Sequence, residues 1–242
     1  MTSTDDDGKA QAKEDFSNHP LAHPEVLPIF SSVLDTLIRE SDRGAVLIGA
    51  SVVDSYLGKL FEHVAAGWMG PKDVKRLLRY PGALSTFAAK ADVALATRLI
   101  GPQTYQSLQI LRALRNDVAH SPDTFRLADH RDRLHYLYDL GPGVAAYVNR
   151  SANQLTLDSF FSRLTAMEAD KPEGERAFRT KEDVIEYLRK PSSALETLQE
   201  KAFRLEVGIA VALLCATLVL RWEFLEKTLQ RNEHVINADP PA

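Results

Sequence analysis

The stretch Arg115-Asn116-Asp117-Val118-Ala119-His120 holds the residues of this chain best suited to chemistry. Arginine carries a fixed positive charge that can hold a phosphate, and histidine exchanges a proton near neutral pH. Upstream of them Tyr105, Leu108, Leu111, Leu114 and Val118 recur every three or four positions. That period predicts a helix from about Pro102 to Ala119. On it Gln109, Arg112, Asn116, Ala119 and His120 share one face, and the leucines take the other. Arg115 precedes His120 by five residues, about 140° around an ideal helix. The two can serve one cleft only if the helix loosens at its end. Ser121-Pro122 gives a reason for that, because the residue before proline avoids the helical region. A structural role is the alternative, with Asn116 bridging to a neighbouring helix and His120 capping the last carbonyls.

The other chemical signatures are missing. The sequence has no GxGxxG, no P-loop, no CxxC pair, no HExxH and no GxSxG. His130 and His135 are five apart, whereas two helical metal ligands want a spacing of four. No metal and no cofactor is expected. Helix-turn-helix readers need a short turn and an exposed recognition helix, and the candidate helices here are too apolar or too acidic. The net charge of -4 argues against broad binding to nucleic acid. Even so, Arg76, Arg79, Arg112, Arg115, Arg126, Arg131 and Arg133 gather on both sides of the hexapeptide. A single cysteine, Cys215, excludes an internal disulfide and suits a reducing compartment. The acidic N-terminus lacks the apolar run of a signal peptide. The expected location is the cytoplasm, without a membrane partner.

The positioning elements follow from periodicity and turn residues. Residues 1–20 are polar and read as a disordered tail. Helices are expected over 24–40, with Pro28 in the first turn, and then over about 45–64, 72–80 and 84–99, with Ser85 as N-cap. Further helices follow over 102–119, 129–140 and 180–190, the last capped by Thr180 with Asp183 at its third position. Residues 144–175 look less regular. A final helix runs from about Ser193 to Gln230 and frays at Asn237 to Ala242. Within it Val207 to Leu220 is fourteen residues without a charge. That is short of the roughly 20 that a membrane span needs, and it reads as a central core helix packed on the 45–64 and 84–99 helices. No strand alternation is visible. The fold class is all-α, a helical bundle around a long apolar C-terminal helix. Residues 21–143 form its core, 144–190 a variable insertion, and 191–242 the completing helix.

Several segments resemble the mannitol operon repressor family. They are Asp42-Arg43-Gly44-Ala45 with Leu47-Ile48-Gly49-Ala50, Gly82-Ala83-Leu84-Ser85-Thr86-Phe87, Leu99-Ile100-Gly101, and Leu111-Arg112-Ala113-Leu114-Arg115-Asn116 with Ala119-His120-Ser121. Phe203 to Val211 is similar to that family's C-terminal helix. The match covers about half the chain and leaves out the basic segment 72–80. It implies a cytoplasmic transcriptional regulator that self-associates, works through another regulator and has no DNA-binding motif of its own. The hexapeptide also resembles the Arg-Asn-x-x-x-His motif of HEPN domains, many of them metal-independent ribonucleases that act as dimers and pair with an antitoxin. That resemblance implies His120 as acid or base on an RNA 2′-hydroxyl, Arg115 as the group stabilising phosphate charge and Asn116 as an orienting residue. Arg112 would then help to bind the anion.

Overall fold

The computed structural model describes residue 24 and residues 26–65, 67–120, 125–189 and 193–236. Every regular element among them is helical. In order they are α1 (Val26–Arg39), α2 (Asp42–Val64), α3 (Pro71–Leu78), α4 (Phe87–Ala96) and α5 (Pro102–His120). A 3-10 turn (Leu127–His130) leads into α6 (Arg131–Leu137), followed by α7 (Val144–Met167), α8 (Lys181–Leu188) and α9 (Ser193–Ile236). The expected N-terminal tail, the Ser121-Pro122-Asp123 stop and the frayed C-terminus lie outside the described residues.

α9 is the spine of the bundle. Its 44 residues span about 66 Å at 1.5 Å per residue. α1, α2 and α7 pack along it. Ile209, Ala210, Val211, Ala212, Leu214, Cys215, Ala216, Leu218 and Val219 are all essentially inaccessible. Burial drives the Cys215 thiol up to about 12, so it is a packing residue without reactivity. α2 reaches α9 closely because position 49 is glycine: a Cβ there would stand 2.8 Å from Val211 Cγ2. Further along the same contact, Trp222 stacks on Tyr56 and on His63, with ring centroids 6.0 Å and 4.8 Å apart.

Among the described residues, two helices are long and apolar enough to cross a membrane, α2 and the part of α9 from Ala194 to Leu229. The most apolar stretch of α9 is 72% buried against protein, the surroundings of a core helix.

Four expectations need correction. Residues 144–167 form one continuous helix, not an irregular segment, and Val148, Ala152 and Thr156 bury its inner face. The polar residues between them, such as Ser151, Asn153 and Gln154, dilute the apolar period. The cap of α4 is Thr86, whose Oγ1 accepts from Ala89 N at 3.1 Å, one residue after Ser85. α4 packs chiefly on α2 and α5 rather than on the spine. Finally, the expected core helix has an open side: Leu213 and Thr217 are half-buried and Leu220 and Phe224 exposed. The expected capping box of α8, Thr180 with Asp183, is present.

Candidate functional site

α5 carries the hexapeptide, and its inner face is fixed. Leu108, Leu111, Leu114 and Val118 are fully buried. The carbonyl of Val118 accepts a hydrogen bond from Arg43 Nη2 at the start of α2. Next to Arg43, Asp42 is buried and holds the chain that follows α5: its Oδ2 accepts from Leu127 N at 2.8 Å and its Oδ1 from Arg204 Nη1 at 3.2 Å. The first turn of α2 thus clamps the hexapeptide helix on one side and α9 on the other. Asp117 adds an ion pair with Arg133 of α6.

The outer face divides into two parts. Toward its N-terminal half, Tyr105 OH donates to Asp92 Oδ1 at 2.8 Å, Gln109 Nε2 donates to the same oxygen at 3.5 Å, and Arg112 Nη1 donates to Gln109 Oε1 at 2.9 Å. The hydrogen bond to Asp92 raises the Tyr105 hydroxyl above its ordinary value. Arg112 therefore belongs to a ladder tying α5 to α4. Toward the C-terminal half, Arg115, Asn116 and His120 are exposed. None of the three has a hydrogen bond or ion pair among the described residues.

α5 remains helical through His120. The expected loosening does not occur within the described residues, so Arg115 and His120 stay about 140° apart around one axis. The structure keeps Asn116 beside His120 on the exposed face and does not bring Arg115 to them. Cavities among the described residues include one against α3, one between α1 and α7, and one beside Phe224. No cluster of three or more His, Cys, Asp or Glu suited to a metal exists among the described residues.

Sequence reasoning passed over Asp42, Arg43 and Arg204 as positioning residues. Their partners lie 75 to 162 residues away in the chain. No local period signals that.

A second unusual carboxyl is sealed in the core. Glu206 of α9 is 3% exposed. It accepts from Tyr138 OH at 3.1 Å and from Asn149 Nδ2 at 2.8 Å. Burial, the leading cause, raises its pKa despite these two bonds, and burial together with the carboxylate charge pushes the Tyr138 hydroxyl far up. The unfolded carboxyl gives up its proton at the ordinary value, while the folded one keeps it to higher pH. Between those two values the native state binds more protons, so stability falls as pH rises through that window. Glu206→Gln removes this dependence. Its melting temperature relative to the parent should climb as pH is raised through the window, and a constant difference would assign no titration to this site.

Neither a protein-family model, nor a curated protein, nor a solved structure matches this chain. The two family resemblances rest on the residues quoted for them.

Proposed function

We propose that the chain is a cytoplasmic regulatory protein of the mannitol-repressor type. In this reading it acts in transcriptional repression through protein contacts, as a homodimer and with another regulator, and performs no catalytic step. The observation that carries the reading is the intact helix at the hexapeptide. Asn116 and His120 stand exposed on a rigid, core-anchored face, while Arg115 lies about 140° from His120 around the same helix. Such a face suits docking better than acid–base chemistry, which needs the reacting groups converged on one substrate. A two-fold contact is the simplest use of a self-complementary polar face.

A HEPN-type, metal-independent ribonuclease is the second reading. It is favoured by the lack of partners for Arg115, Asn116 and His120 among the described residues, which leaves them available to a cleft completed by a second protomer.

One set of measurements separates the two. Under the regulatory reading, light scattering gives twice the 26.9 kDa of one chain, and single-stranded RNA survives overnight with the protein in EDTA. Transcript profiles of the host then change on deletion of the protein. Metal-independent cleavage that leaves a 2′,3′-cyclic phosphate and disappears in His120→Ala would replace regulation by catalysis. A monomer at micromolar concentration would remove the dimer from both.

A further inference from the structure

The basic segment 72–80, which neither resemblance absorbs, is α3 and its end. Lys72, Lys75, Arg76 and Arg79 recur at spacings of three, one and three, which places all four within about 100° of arc, along roughly 10 Å of axis. Val74, Leu77 and Leu78 face the other way and line a cavity of about 400 Å³ with Phe61, Val64 and Leu225. The four cations are exposed. Only Arg76 has a partner among the described residues, Asp73 at 3.2 Å. This is a concentrated positive stripe on a chain of net charge -4.

Two large aromatic rings flank the stripe. Trp68, three residues before α3, is 75% exposed, and Tyr80, two residues after it, is 90% exposed. Neither has a ring contact or hydrogen bond among the described residues. The end of α3 is held in place by the chain folding back over it. Leu84 N donates to Leu77 O at 2.9 Å, and Gly82 lies so close that a Cβ there would be 2.1 Å from Arg76 O.

We infer that the outer face of α3, with Trp68 and Tyr80, is a binding surface for single-stranded nucleic acid. The cations contact successive phosphates, and the rings offer stacking faces to bases at either end. Four long, flexible cationic side chains fanned along about 10 Å can reach about three to four successive phosphates of a flexible strand. Exposed aromatics beside a basic track are the arrangement by which sequence-tolerant single-strand binders hold their ligand. A lipid surface fits less well, because the apolar face of α3 is turned inward and only the two rings remain to insert. This surface lies apart from the α5 hexapeptide and does not depend on the regulatory reading.

The test is fluorescence anisotropy of the full chain with a labelled oligouridylate of about 20 nucleotides. Binding is expected to weaken with salt, with a log–log slope of about -2 to -3, as three to four phosphate contacts on a single strand require. The charge reversal Lys75→Glu/Arg79→Glu should weaken binding at least tenfold and flatten the slope. Trp68→Ala and Tyr80→Ala should each weaken it about 5- to 150-fold, the range for loss of one stacked base. His120→Ala should leave it unchanged. Circular dichroism checks that each variant is folded. The inference is overturned if the parent fails to bind at about 50 mM salt, or if a folded charge-reversed variant binds as the parent does. It is overturned equally if polyglutamate or anionic vesicles compete better than the unlabelled oligonucleotide.

Discussion

Replacing Leu214 by alanine should lower the free energy of unfolding by about 2–5 kcal/mol, the range for a fully buried leucine whose site cannot collapse. Leu214 is inaccessible and sits on the side of α9 enclosed by the bundle. Its neighbour Leu213 faces the open stripe and is only half-buried. Leu213→Ala should therefore cost less, below about 2 kcal/mol, because part of its surface is already in water and the loss leaves no closed cavity. Urea titrations followed by circular dichroism give both values. The contrast is the test: equal losses at 213 and 214 would mean that the open side of α9 is covered in solution.

Asp42 should be the most sensitive polar position. Its carboxylate satisfies the Leu127 amide and the Arg204 guanidinium together, and Arg204 Nε is buried with no partner among the described residues. Asp42→Ala leaves a positive charge and an amide unpaired in a site with little solvent, which costs about 3–5 kcal/mol. Asp42→Asn keeps the shape and one acceptor, so its loss should be smaller, about 1–3 kcal/mol. The double variant Asp42→Ala/Arg204→Met should recover much of the difference, since removing both charges ends the desolvation problem. Chemical unfolding of the parent, Asp42→Ala, Arg204→Met and the double variant forms the cycle, with Asp42→Asn measured beside it. An Asp42→Ala protein within about 0.5 kcal/mol of the parent would show that water replaces the carboxylate without loss.

The parts of this fold visible in the sequence are those with local causes. The heptad-like leucines of α5, the capping box at Thr180 and the charge-free run in α9 each predict their element, because periodicity and caps act over a few residues. Helix α7 was hidden because its buried positions are few and small, two of the three being Ala152 and Thr156. Lys90 shows another limit. It lies in the apolar stripe of α4 and is buried, held by Asp54 of α2 at 2.7 Å, a partner that no local pattern names. At the candidate site, the shared face of Asn116 and His120 was legible. The capture of Arg112 by Gln109, and the clamp by Asp42 and Arg43, were not, since hydrogen-bond choice and long-range closure depend on the folded neighbours.

The place of the spine in the chain order has a consequence for how the molecule is made. α1 and α2 bury their apolar faces against α9, which follows them by more than a hundred residues. At about 5–20 residues per second, the ribosome takes roughly 8–30 s between finishing α2 and delivering Leu220. Throughout that interval the early helices have only each other and the middle helices to cover Leu34, Leu37, Val46, Val53 and Leu57. Such exposed surface on a nascent chain is what holding chaperones recognise and what seeds aggregation. The core of this protein thus closes only once α9 has been synthesised, whatever the earlier helices have formed by then.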